Sequence, residues 1–223
     1  MRCNTSALFS ESFLIFADKM SIRVACIGDS LTWGFTLPDP GRQSYPALLQ
    51  EKLGADYIVR NFGCNGASVR FDTGLPYAQT MVGRESLTWN PDVVLIMLGS
   101  NDASPWDWDP DTFRRDYERL IASYRDLPSR PRIILIAPIR MFRVMGTTFM
   151  DLSPEIMEEG IRPAIHAIAK DNNLELIDLV NLLTDPRYCY DGVHPQSTGT
   201  RMIADAIYGR VGDFSQARSA VLL

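Results

Sequence analysis

Val93 to Leu98 reads VVLIML, and Gly99 to Asp102, GSND, follows it without a break. Six consecutive apolar residues leave no side for solvent, so the run is expected to be a strand covered on both faces, the central one of a parallel sheet. Shorter runs of the same kind lie on either side of it. Ile22 to Ile27 (IRVACI) and Tyr57 to Asn61 (YIVRN) precede it, and Arg132 to Ala137 (RIILIA) and Leu174 to Ile177 follow.

Helical periodicity fills the intervals. From about Ser44, the residues Tyr45, Leu48, Leu49 and Leu53 fall on one face, and Gly54 ends the helix. Phe113, Tyr117, Leu120, Ile121, Tyr124 and Leu127 make a second stripe that Pro128 stops. A third helix starts at the cap Ser153-Pro154, and Pro163 is expected to kink or split it. Gln196 to Tyr208 is the last, with Met202, Ile203, Ala206 and Ile207 on its apolar side. Strands alternating with helices specify an α/β chain. The expectation is a three-layer, doubly wound fold whose five-stranded, mainly parallel sheet has the flavodoxin-like order 2-1-3-4-5, with helices on both faces.

The 223 residues suffice for one such domain, expected over 21–212, with 1–20 an N-terminal extension of unassigned role and 213–223 a C-terminal tail. Lys and Arg number 22 against 27 Asp and Glu, and no basic stripe is visible, which excludes nucleic acid as the expected partner. No run is long and apolar enough for a transmembrane helix, and residues 1–20 make a poor signal peptide. Cytoplasmic residence is therefore the default expectation, with export the alternative. Cys3, Cys26, Cys64 and Cys189 show no metal-type spacing and read as reduced thiols. No metal or other cofactor is expected, and the composition leaves the oligomeric state open.

In a doubly wound sheet, ligands gather beyond the carboxyl ends of the strands. Chemistry is therefore sought in the residues that follow each strand. Gly28-Asp29-Ser30-Leu31 follows the first, Gly63 and Gly66 the second, and Gly99-Ser100-Asn101-Asp102 the third. After the fifth, a long loop carries Asp191-Gly192-Val193-His194-Pro195. A nucleophile, a base, a carboxylate to orient the base and donors for an oxyanion are all present. Only two histidines exist. His166 falls on the polar face of its helix, whereas His194 lies three residues after Asp191, a spacing that lets one tight turn fix its tautomer. Taken alone, DGVHP reads equally well as a turn before a helix. Strand five lies about three strand spacings, on the order of 14 Å, from strand one, and the intervening loop is long enough to bring His194 to Ser30.

These four blocks, GDSL at Gly28–Leu31, a glycine after the second strand, GSND at Gly99–Asp102 and DGVHP at Asp191–Pro195, resemble the signature blocks of the SGNH (GDSL-type) hydrolases, in the same order, over about Ile22 to Arg210. The resemblance implies a serine esterase, with catalytic Ser30, His194 and Asp191 and an oxyanion hole from Ser30, Gly66 and Asn101. Gly63 is the alternative to Gly66, with a role in the turn itself. Asp29 is read as bracing the turn, with a catalytic acid as its rival reading, and Ser100 and Asp102 as fixing their loop. The sequence is not the GxSxG elbow of the α/β-hydrolases, because position 32 is Thr.

GSNDASPWDW, the LPY segment and LPSRPRI look most like the carbohydrate and sialate O-acetylesterase members. The implied substrate is a small acyl ester, acetyl, on a small molecule or glycan. Trp106, Trp108, Tyr77, Arg140, Phe142 and Arg143 are the candidate substrate contacts, since aromatic walls suit a sugar face and arginines an acidic sugar. The alternatives are a lysophospholipase or thioesterase of the same family, or a non-catalytic glycan-binding module on the same scaffold.

Overall fold

The computed structural model describes residues 21–106 and 108–212. The expected extension 1–20, the tail 213–223 and Cys3 lie outside the described residues.

Five strands form one sheet: β1 Ile22–Gly28, β2 Tyr57–Gly63, β3 Val93–Met97, β4 Arg132–Ala137 and β5 Glu175–Asp178. Every neighbouring pair is parallel, in the order β2-β1-β3-β4-β5. All five residues of β3 are buried, as its unbroken apolar run requires. At the edges the pattern relaxes, and Ile58 on β2 and Glu175 on β5 reach solvent.

The helices are α1 Ser30–Trp33, α2 Pro40–Gln43, α3 Tyr45–Leu53, α4 Met81–Thr88, α5 Pro110–Arg125, α6 Pro154–Ile156, α7 Arg162–Asp171 and α8 Ser197–Val211. α3 packs against α8, while α5 packs against α7 and is tied to α4 by the Ser86 and Tyr124 hydroxyls at 2.6 Å. The stripe predicted for α5 is realised in full from Phe113 to Tyr124, each member buried.

The helix expected to be kinked or split by Pro163 is divided by a π turn at Met157–Ile161, which separates α6 from α7 just before the proline. Proline has no N–H to give to the preceding helical carbonyls, so the regular ladder is broken there. α4, on the crossover from β2 to β3, was not expected at all. It is capped by the Thr80 hydroxyl, which accepts from Gly83 N–H at 3.0 Å.

Strand register brings the loop ends together. Gly28 pairs with Gly63 on one side and with Met97 on the other, so β2, β1 and β3 end level with one another. The chain passes from β1 to β2 on one side and from β2 back to β3 on the other, so the strand order reverses at β1, the switch point of a doubly wound fold.

Candidate active site

α1 starts two residues after β1, and the abruptness of that turn is held by polar contacts. Asp29 caps the helix, its Oδ1 accepting from Leu31 N–H at 2.9 Å. Asn61 Nδ2 donates to the Thr32 carbonyl at 2.9 Å, and Asn61 Oδ1 accepts from Gly63 N–H at 2.9 Å. A Cβ on Gly63 would lie 2.3 Å from Trp33 N, so the end of β2 can approach α1 only as glycine. Ser30 is thereby set at the head of α1, 7% exposed.

Two further loops converge on it. Gly66 has φ +78°, a left-handed conformation that an L side chain strains to adopt, although little would crowd a Cβ there. Asn101 Nδ2 donates to the Ala67 carbonyl at 2.9 Å, and its second amide hydrogen remains for the cavity. Asp102 accepts from Val69 N–H at 2.9 Å and Arg70 N–H at 3.1 Å. The loops after β2 and β3 are thus joined twice, and Asp102 fixes both of them rather than its own alone.

His194 comes from beyond β5. Its Nε2 lies 2.8 Å from Ser30 Oγ and its Nδ1 lies 2.7 Å from Asp191 Oδ2. Asp191 Oδ1 also accepts from the backbone N–H groups of Val193 at 2.9 Å and His194 at 2.8 Å. Partial burial would raise the Asp191 carboxyl, but the His194 ring and these two amides outweigh it and hold the carboxyl below the usual range. An ionised carboxylate only accepts, so Nδ1 carries the proton and the Nε2 lone pair faces Ser30. Phe35 and Phe149 flank the imidazole edge-on, with ring centroids at 4.8 and 4.9 Å.

Ser30, Gly66, Asn101 and His194 line one cavity of about 240 Å³, completed by Phe35, Asn65, Phe149 and Met150. The arrangement can abstract a hydroxyl proton and receive a developing oxyanion in a space suited to a small acyl group. Asp29 does not line this cavity. Its carboxyl is wholly buried beneath Ser30, where desolvation pushes it up to about 6.

The proposed substrate contacts are placed elsewhere. Tyr77 is fully buried in the core, its hydroxyl donating to the Phe62 carbonyl at 2.8 Å. Trp108 packs on Phe113 with centroids 5.3 Å apart and covers Gly160, where a Cβ would come within 2.9 Å of the indole. Trp106 stands 86% exposed. Arg140 Nε donates to the Val180 carbonyl at 2.9 Å, and Arg143 pairs with Glu155 at 2.6 Å. Phe142 N–H donates to the Gly192 carbonyl at 2.8 Å, bracing the His194 loop from the segment after β4. None of the six lines the cavity at Ser30. His166 is half exposed, as expected, with Nε2 2.6 Å from Asp178 Oδ2. Cys26, Cys64 and Cys189 are free. No helix among the described residues is long and apolar enough to cross a membrane.

This sheet order and these strand-end loops define the chain as a doubly wound α/β domain. The chain belongs to the GDSL-like Lipase/Acylhydrolase family, whose model matches residues 26–202. It is 33% identical over 207 residues to an acetylxylan esterase of Xylanibacter ruminicola, covering 84% of this chain and 42% of that protein. It thus spans less than half the length of that relative. An arylesterase of Vibrio mimicus is 24% identical, with 86% of this chain and 88% of that protein covered. Est24, a carbohydrate acetylesterase from Sinorhizobium meliloti, shares the fold at a TM-score of 0.72 and 20% identity, over 87% of this chain and 100% of its own.

Proposed function

We propose that this chain is a serine esterase that removes a small acyl group, acetyl, from a carbohydrate. The observation that carries the reading is the unbroken relay from Asp191 through His194 to Ser30, at 2.7 and 2.8 Å, beside Gly66 and Asn101 in one small cavity.

The chemistry follows from that relay. Ser30 Oγ attacks the ester carbonyl carbon while its proton passes to His194 Nε2, and Asp191 stabilises the resulting imidazolium. Ser30 N–H, Gly66 N–H and Asn101 Nδ2 donate to the oxyanion. The Ser30 amide suits this role because, as the first residue of α1, it has no acceptor within the helix. When the intermediate collapses, the bond to the alcohol oxygen breaks and that oxygen takes the proton from His194. The acyl group is left on Ser30. Water then attacks the acyl-enzyme, gives its proton to His194 and releases the acid, and Ser30 recovers its proton.

The cavity of about 240 Å³ supports a small acyl group, being below the roughly 300–1,000 Å³ of pockets that hold drug-sized ligands. The acetylxylan esterase similar to this chain supports a carbohydrate acceptor. The test is hydrolysis of p-nitrophenyl acetate, butyrate and octanoate by wild type and Ser30→Ala. Turnover that favours acetate and falls at least about 10³-fold in Ser30→Ala is expected. Equal rates in both proteins would overturn the assignment, and preference for octanoate would restore the lysophospholipase or thioesterase alternative.

A further inference from the structure

Gly66, the proposed donor delivered by the end of β2, sits in a loop from Cys64 to Pro76 that has no helix and only one isolated bridge, Ser68 to Pro76. Backbone amides in such a loop have no ladder to join and must find partners elsewhere. The first turn is closed by Ala67 N–H on the Cys64 carbonyl at 3.1 Å, and Cys64 N–H is tied to the Gly28 carbonyl at 3.0 Å. Past that turn, three successive amides donate to carboxylates. Val69 and Arg70 use Asp102, at 2.9 and 3.1 Å, and Phe71 N–H uses Asp116 Oδ2 at 2.9 Å.

Asp116 is the one carboxylate on the buried face of α5, beside Tyr117 and wholly buried. A carboxylate is kept in such a place only where its oxygens are occupied. Oδ2 takes the Phe71 amide, while Oδ1 accepts from Arg115 Nε at 3.0 Å and lies 3.5 Å from Arg119 Nη1. The Arg119 guanidinium lies over the Phe71 ring, 4.4 Å from its centroid. α5 therefore holds Phe71 twice, by its amide and by its ring.

We infer that Asp116 is a positioning residue for the oxyanion hole, acting through Phe71 on the loop that carries Gly66, with Arg119 completing the clasp. The inference rests on the esterase reading above, and it adds residues of a helix that contributes nothing to the cavity wall. An N–H serves an oxyanion only when it is held within about half an ångström of the productive geometry. Gly66 has no side chain to pack, and even a Cβ built on it would meet only Leu75, at 3.8 Å. Its aim therefore depends on the two ends of its loop. One end is tied to β1 through Cys64, and the other to Asp102 and Asp116. Loosening the α5 end lets the Gly66 amide drift from the place where negative charge develops. Because that charge is absent from the bound ester, the loss falls on kcat rather than on KM.

The experiment measures kcat and KM on p-nitrophenyl acetate, well below each protein's Tm, for wild type, Asp116→Ala, Asp116→Asn, Arg119→Met and Tyr124→Phe. Asp116→Ala is expected to lower kcat about tenfold at nearly constant KM, part of the roughly 10²-fold that a 1 Å misplacement can cost. Asp116→Asn should recover most of it, since its carbonyl oxygen still accepts from Phe71 N–H while the exposed Arg115 and Arg119 turn to water. Arg119→Met changes an exposed side chain, so folding is spared, and loss of its hold on the ring is expected to lower kcat about threefold. Tyr124→Phe removes the contact with Ser86 elsewhere on α5 and should lower Tm without changing kcat. Wild-type kcat in Arg119→Met, a loss in Asp116→Ala confined to KM, or an equal loss in Asp116→Asn would overturn the inference while leaving the esterase intact. So would a kcat in Tyr124→Phe that falls in step with its Tm. Absence of any Ser30-dependent turnover on p-nitrophenyl acetate would instead remove the esterase reading beneath it.

Discussion

Replacing Asp29 by Asn is expected to stabilise the protein at alkaline pH and to cost activity. Asp29 is wholly buried below Ser30. One carboxyl oxygen caps α1 through Leu31 N–H. Burial raises this carboxyl from an ordinary 3.8 to about 6, against the pull of the Leu31 amide, the Ser100 hydroxyl and His194. Between about pH 4 and pH 6 the folded protein therefore keeps a proton that the unfolded chain has released, so wild-type stability falls as pH rises through that window. Above it the penalty is complete, up to roughly 3 kcal/mol at about 1.4 kcal/mol per tenfold. Asparagine keeps the Oδ1 cap and cannot ionise. It also spares Asp102, likewise buried and pushed up to about 6, the repulsion of its neighbour. For a chain of this size about 1 kcal/mol moves Tm by roughly 2–4 °C. Asp29→Asn should then melt at least about 4 °C above wild type at pH 8, with the difference fading towards pH 4. Thermal unfolding followed by circular dichroism from pH 4 to pH 8 reads it directly. A variant less stable than wild type at pH 8, or a difference independent of pH, would refute the reasoning. The same substitution removes negative charge near His194, which helps a transition state carrying an imidazolium, so kcat should fall as Tm rises.

Asn101→Ala removes one of the proposed oxyanion donors, and kcat on p-nitrophenyl acetate is expected to drop about 10²–10³-fold with little change in KM; a drop under about fivefold would exclude the amide from the transition state. Gly63→Ala would drive a Cβ to 2.3 Å from Trp33 N and 2.7 Å from its Cα, backbone that cannot step aside. About 3 kcal/mol of destabilisation is expected from such overpacking, read as a lower urea midpoint at unchanged slope, and a midpoint equal to wild type would contradict the close approach.

The central strands β3 and β4 were legible because each is an almost unbroken apolar run, and a buried parallel strand has no polar face to blur it. α4 was not, and its composition explains why. Its buried residues are Gly83 and Ser86, so no apolar stripe marks the face turned to the protein. α4 is held by a cap, by the Ser86–Tyr124 contact and by the half-buried Val82 and Leu87, too few apolar residues to mark a helical period. The residues of the catalytic reading could be singled out because each chemical task admits few side chains. The substrate wall could not, since residue type does not say which way a loop turns. Tyr77 and Trp108 have the composition of a binding surface and are spent on core packing, whereas Phe35 and Phe149 face His194 from loops whose course depends on tertiary contacts. Asn65 had a weak signal in its position just before Gly66.

The site divides into a half that the sheet holds rigidly and a half that loops must deliver. Ser30, Gly66 and Asn101 follow β1, β2 and β3, which are neighbours ending level with one another, so strand spacing and register bring them close and the contacts of Asp29, Asn61, Asn101 and Asp102 then fix them. His194 has no such anchor, because β5 lies at the far edge of the sheet. Its position depends on the Gly192 carbonyl held by Phe142 N–H, on the Tyr188 carbonyl holding Gln196 N–H at 2.9 Å, and on Asp191 folding back onto its own turn. The proposed base therefore depends on loop braces that the sheet does not supply, and loss of the Gly192 or Gln196 brace would displace His194 while leaving Ser30, Gly66 and Asn101 in place.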